Sequence, residues 1–255
     1  MAVLIDPPRW PAHGRVWSHL VSDDSLAELH AFAEAHGIPR RGFEGDHYDV
    51  PESMYAALVA AGARPVSGRE LLTSLQRTGM RLRKRRGERG LARLGGVAFP
   101  DGTTADIEIV ASTREYPQAK VFAAMVFVQD ADGDLALVHS IRRQEWGSPG
   151  GWREPGESVR DNAIREVHEE TGLDLEQEDL KPVGYERFTP VVPGGLWQPG
   201  REVLQAFTAL LQRRRPTLRS DYDDTSEREW VTPAEFERRC GDQFWWPLAA
   251  HAVSR

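Results

Sequence analysis

The chain has little cysteine: Cys240 is the single one in 255 residues. An internal disulfide is therefore excluded, and a reducing, cytoplasmic setting is expected. Long hydrophobic runs are also lacking. The longest, Val121 to Val128, is far too short to cross a bilayer and reads as a buried strand. The opening MAVLIDPPRW has neither a basic head nor a long apolar stretch, so it does not read as a secretory leader. Positive charge is not in excess. With 32 Lys and Arg against 39 Asp and Glu, the net charge of -7 argues against general coating of nucleic acid. What remains is an ordinary soluble composition, 40% hydrophobic and 28% charged, in a chain longer than the usual single domain. Two domains are expected.

Residues 1–76 read as a small α/β unit. Ala2 to Ile5 is a short strand halted at Asp6-Pro7-Pro8. Asp23 or Asp24 can cap a helix carrying Leu26, Leu29, Phe32 and Ala33, which ends at Gly37. Further helices are expected from Pro51 to Ala61 and from Ser67 or Gly68, the latter with Leu71, Leu72 and Leu75. Residues 77–94 then form a basic linker or linking helix, with Arg77, Arg81, Arg83, Lys84, Arg85, Arg86, Arg89 and Arg93 against the one acid Glu88. It is either a solvated connector or a phosphate-attracting strip; no aromatic residue interleaves the arginines to stack on bases. From residue 95 strands and helices alternate, which suggests a mixed sheet covered on both faces.

The chemistry concentrates between Gly151 and Leu173. Ser158, with Asp161 three residues on, starts a helix, and Gly172 is placed to end it. Val159, Ala163 and Val167 form a buried stripe. Glu166, Glu169 and Glu170 crowd another face near the C-terminal end, where mutual repulsion and the helix dipole both disfavour them. A local conflict of this kind marks a functional site, and a hard divalent cation resolves it. Arg165, four residues before Glu169, can hold that carboxylate and reach towards Glu157.

This segment resembles the Nudix box, Gly-x5-Glu-x7-Arg-Glu-U-x-Glu-Glu-x-Gly-U with U bulky and apolar. Gly151, Glu157, Arg165, Glu166, Val167, Glu169, Glu170, Gly172 and Leu173 meet every specified position. The resemblance implies an α/β/α sandwich with a mixed sheet and Mg²⁺- or Mn²⁺-dependent hydrolysis of a diphosphate in a nucleoside-diphosphate compound. It implies Glu166, Glu169 and Glu170 as metal ligands, joined by the Gly151 carbonyl, with Arg165 and Glu157 orienting them. The family's general base varies. Glu166 itself qualifies, or an acid outside the box among Asp223, Asp224, Glu227 and Glu229, of which Glu227 is chosen here.

Other residues are open to two readings. Arg142 and Arg143 can meet phosphate oxygens or pair with helix carboxylates. Trp197, in the Gly/Pro-rich loop 189–200, can stack on a base or sit in a plain connector. The resemblance also implies an ADP-ribose hydrolase as one option, since members of that kind tend to place a proline at about the distance of Pro190 downstream of the box; nucleotide sugars and oxidised nucleoside triphosphates stay open. The expected partner is a small nucleotide, with no membrane or nucleic acid; a homodimer is left open. The rival reading is a Nudix-type ligand sensor without turnover, which tends to lose box glutamates that are intact here. Residues 1–75 resemble a small uncharacterised domain found before Nudix domains. His13, His19 and His47, with Asp6 and Asp49, can build a second metal or phosphate site there, whereas His30 and His36 read as surface or satisfied core groups.

Overall fold

The computed structural model describes residues 2–192, 200–219 and 225–254. It divides into two compact units, Met1–Arg93 and Leu94–Arg255. No helix among the described residues is long and apolar enough to cross a membrane.

The first unit has strands β1 (Val3–Ile5), β2 (Trp10–Ala12), β3 (Arg15–Ser22), β4 (Tyr48–Pro51) and β5 (Arg64–Pro65), and helices α1 (Leu26–Ala35), α2 (Glu52–Ala60) and α3 (Gly68–Arg77). The sheet order is β2-β3-β1-β5, with β4 also on β3. Neighbouring residues of a strand face opposite ways. Ile5 and Leu20 therefore pack with Leu29 and Leu58 of α1 and α2, while Leu4 and Val21 pack with Leu71 and Leu75 of α3. The α1 cap is Ser25, one residue past the expected aspartates, and Ser67 and Glu70 form a reciprocal capping box on α3.

The structure adds a hairpin, β2–β3, whose turn is His13-Gly14, with φ of 52° and 70°. The basic segment is neither a helix nor a free linker as far as Arg93. Asp46 accepts from Arg81 Nη1 at 3.0 Å and from the Leu82 N–H at 2.8 Å, and Lys84 pairs with Glu44 at 2.9 Å. A Cβ on Gly90 would lie 2.3 Å from the Glu44 carbonyl oxygen, so glycine alone allows that close approach. Buried Asp46 and the half-buried Glu44 draw the basic residues back into the unit.

The division falls within β6 (Arg89–Ala98). The second unit continues with β7 (Thr104–Ala111), β8 (Val121–Gln129), β9 (Leu135–Ser140), β10 (Glu145–Gly147), β11 (Gly150–Trp152), α4 (Val159–Thr171), β12 (Lys181–Val192), β13 (Val203–Leu210), β14 (Thr225–Val231), α5 (Pro233–Cys240) and α6 (Trp246–Val253). The sheet runs β10-β9-β8-β13-β12-β7-β6, with β11 on β8 and β14 on β9. It is mixed: β8 and β13 are parallel, β12 antiparallel to both its neighbours. Arg160 of α4 lies over the Phe207 ring, whereas Leu248 of α6 meets Gly184, the register partner of Ala206. Phe207 and Ala206 are adjacent and point to opposite faces, so helices cover both sides. The arrangement is the α/β/α sandwich expected.

Candidate active site

Helix α4 is bounded by the residues that its sequence offers. Ser158 accepts from the Asp161 N–H at the N-cap, and Gly172 closes the helix at a left-handed φ of 69°. A Cβ at Gly172 would meet the Arg219 carbonyl oxygen at 2.8 Å, so space as well as conformation calls for glycine. Val159, Ala163 and Val167 are buried. Their burial fixes the roll of the helix.

Arg165 is the hub of the opposite side. Its Nε donates to Glu157 Oε1 at 2.9 Å and its Nη1 to Glu169 Oε2 at 2.9 Å; the same Nη1 lies 2.9 Å from Glu166 Oε1. Its Nη2 donates to the Trp152 carbonyl at 3.0 Å, and the buried Asn162 donates to that carbonyl at 3.2 Å. Helix α4 is thereby tied to β11. The Gly150 N–H donates to Glu170 Oε2 at 3.0 Å. A Cβ on Gly151 would fall 2.6 Å from the Glu166 carboxylate, so only glycine leaves it room.

Burial pushes the Glu166 carboxyl above its ordinary pKa; Arg165 pulls it down, and Glu169 and Glu157 add to the rise. Burial also opposes the charge on Arg165, but Glu157, Glu166 and Glu169 hold its pKa above the usual guanidinium value. One guanidinium can offset only one of four carboxylate charges. The excess of hard oxygen donors fits a divalent cation such as Mg²⁺, which takes one or two carboxylates directly and completes its shell with water.

The structure gathers Gly151, Glu157, Arg165, Glu166, Glu169 and Glu170 at one place. Other candidates lie elsewhere or out of view. Glu227 is not in a loop but on β14, exposed and in register with His139 of β9; no hydrogen bond or ion pair among the described residues joins it to the helix. Glu229 pairs with Arg239 at 3.0 Å. Arg142 and Arg143 occupy the exposed turn between β9 and β10. Trp197, Asp223 and Asp224 lie outside the described residues.

Sequence reasoning missed two groups. Asn162, a buried amide inside a helix, was the legible signal for a tie to β11. Glu186 on β12 gave no signal: it is 1% exposed, neither carboxylate oxygen has a hydrogen-bond partner among the described residues, and burial pushes its carboxyl up to about 8.

A family model described as NUDIX domain matches residues 119–251, more than half of the chain. The chain belongs to the NUDIX family. A second model, described as a protein of unknown function (DUF4031), matches residues 3–78 ahead of the NUDIX domain. The chain is 43% identical over 68 residues to "Uncharacterized Nudix hydrolase YvcI" of Bacillus subtilis (strain 168), a match covering 27% of this chain and 40% of that protein. It thus spans less than half the length of this curated relative. Solved structures similar to this chain include a C. elegans Ap4A hydrolase binary complex, at 18% identity over 52% of this chain and 96% of that one, with a TM-score of 0.40. Another is a Bacillus subtilis pyrophosphohydrolase mutant, at 18% identity over 64% and 96%, with a TM-score of 0.45. A third is the NUDIX domain of Shewanella oneidensis NrtR complexed with ADP ribose, at 15% identity over 54% and 90%, with a TM-score of 0.39.

Proposed function

We propose that this protein is a Mg²⁺-dependent Nudix hydrolase, with Mn²⁺ as the alternative ion. Its substrate is a nucleoside-diphosphate derivative: an ADP-ribose-like compound, a nucleotide sugar or an oxidised nucleoside triphosphate. Water cleaves the diphosphate linkage to give a nucleoside monophosphate and a phosphorylated product. The observation that carries the reading is the array in which Arg165 engages Glu157, Glu166 and Glu169 while the Gly150 N–H fixes Glu170. Such an array has more negative charge than a fold needs and holds it in fixed positions.

Glu166, Glu169 and Glu170 would hold the cation, with the Gly151 carbonyl as a further ligand. A bound Mg²⁺ supplies Lewis-acid stabilisation of charge on the diphosphate. Arg165 and Glu157 orient the ligating carboxylates, and the Trp152 carbonyl orients Arg165. Glu166 is the preferred acceptor of the proton from the attacking water, because among the described residues no hydrogen bond or ion pair joins Glu227 of β14 to the helix. Arg142, Arg143 and Trp197 are kept as candidate substrate contacts. The test is to incubate the full chain and Mg²⁺ with ADP-ribose, dinucleotides, nucleotide sugars and oxidised triphosphates, and to weigh the products. Release of a nucleoside monophosphate from one class is expected. Inertness towards all of them, with either ion, would sink the reading and favour a ligand sensor.

A further inference from the structure

A second cluster lies in the first unit, built from residues that the diphosphatase reading does not use. His19 stands on β3, and Asp49 is its register partner on β4; His47 directly precedes β4. His47 Nε2 is 3.3 Å and His19 Nε2 3.8 Å from the same atom, Asp49 Oδ1. Among the described residues this trio brings one ligand atom each to within 4.8 Å of one another. His13 sits in the β2–β3 turn and takes no part.

The far side of each imidazole is fixed. His19 Nδ1 is 3.0 Å from Asp6 Oδ2, and His47 Nδ1 is 2.5 Å from Asp46 Oδ1. Both carboxylates are buried and held in turn. Asp6 accepts from the His19 N–H at 2.6 Å and from Trp10 Nε1 at 3.0 Å; Asp46 accepts from the Leu82 N–H and Arg81. A carboxylate on Nδ1 selects the tautomer that leaves Nε2 with its lone pair, the arrangement found behind metal-binding histidines. Both Nε2 atoms then turn to the buried Asp49 Oδ1, at 3.3 Å from His47 and 3.8 Å from His19. Two donors each about 2.0–2.1 Å from a tetrahedral ion stand roughly 3.3–3.4 Å apart; the His47–Asp49 spacing of 3.3 Å matches this, and all three atoms lie within 4.8 Å of one another.

We propose that His19, His47 and Asp49 form a binding site for a divalent transition-metal ion of the Zn²⁺ class. Two imidazoles and one carboxylate suit such an ion rather than Mg²⁺, which prefers oxygen alone. Three protein ligands leave a coordination position open, and the side chains of His19 and Asp49 are 27% and 42% exposed, so that position can take water or a small ligand. This is the pattern of a Lewis-acid centre, not of a closed structural site.

The test is a Co²⁺ titration of the metal-stripped full chain in excess Mg²⁺, followed by visible absorption and equilibrium dialysis. A ligand-field band saturating at one equivalent is expected, and it should persist in the Glu166→Gln/Glu170→Gln double variant. His19→Ala and Asp49→Asn should each weaken Co²⁺ binding at least tenfold, with folding checked by circular dichroism. Absence of the band in the wild type, or its loss in the glutamate double variant, overturns the proposal; the first would leave an imidazolium bridging Asp46 and Asp49. Should both cluster variants fail to fold, the wild-type and double-variant titrations still decide between these outcomes.

Discussion

The two acidic clusters of this molecule differ in how the chain assembles them. In the NUDIX unit, Glu166, Glu169 and Glu170 come from one helix, where Arg165 engages the first two and the Gly150 N–H holds the third. In the first unit, His19 and Asp49 come from the paired strands β3 and β4, Asp46 and His47 from the chain just before β4, and Asp6 from the residue after β1, and they are brought together by strand pairing. The first has oxygen donors only and suits a hard cation; the second mixes imidazole nitrogen with oxygen and suits a softer one. Helical spacing can therefore be read from a sequence directly. A cluster made by pairing becomes visible only when the strands are laid side by side.

The largest expected effect is on the helix. Glu170→Gln removes a carboxylate held by the Gly150 N–H and should lower kcat for diphosphate turnover by about 100- to 1000-fold, several kcal/mol of transition-state stabilisation. Steady-state kinetics at saturating Mg²⁺ measures it, and wild-type kcat would remove Glu170 from the ligand set. Arg165→Lys keeps the charge but cannot span three carboxylates and the Trp152 carbonyl at once. A loss of roughly 10- to 100-fold in Mg²⁺ affinity or turnover is expected. An unchanged Mg²⁺ titration would show that the hub is dispensable.

Gly151→Ala probes the contact between β11 and α4. The added methyl would stand 2.6 Å from the Glu166 carboxylate and must displace it. On the scale of a misplaced active-site group, kcat should fall about tenfold or more, with Tm nearly unchanged. Full activity would mean that the position of Glu166 does not matter.

The smallest effect concerns two buried carboxyls of the NUDIX unit. Glu166 has Arg165 beside it, whereas Glu186 has no partner among the described residues and its carboxyl is pushed up to about 8 by burial. The folded state then keeps a proton on Glu186 that the unfolded chain releases above about 4.5. Its contribution to stability is fully present below that pH and is lost as pH rises through 8, at ~1.4 kcal/mol per unit. Glu186→Gln should flatten this slope, raising Tm by several degrees at pH 8 relative to the parent and little at pH 4.5. Parallel Tm curves for the two proteins would contradict the assignment.

The helix was legible because each of its limits rests on a local rule. Ser158 caps it, Gly172 ends it, and the charged residues repeat at helical spacing. The long apolar run of β8 was equally plain, since a strand buried on both faces shows no alternation. The opening of the first unit was not. Pro11 and the polar residues of β3 hide the hairpin, and only His13-Gly14 betrays the turn. Residues 80–93 misled for an electrostatic reason: a run of arginines reads as solvated unless the carboxylates that receive it, Asp46 and Glu44, are known to lie opposite. The histidines stand out in the sequence as a group, but which of them converge depends on the pairing of His19 with Asp49.

Oxygen-labelled water tests the central claim most directly. With the full chain, Mg²⁺ and a cleavable nucleoside-diphosphate compound, turnover in that solvent should place one heavy oxygen in one of the two phosphate products, and removal of the ion should stop the uptake. Products without label, or labelling that proceeds undiminished after the ion is stripped, would contradict hydrolysis at the glutamate helix.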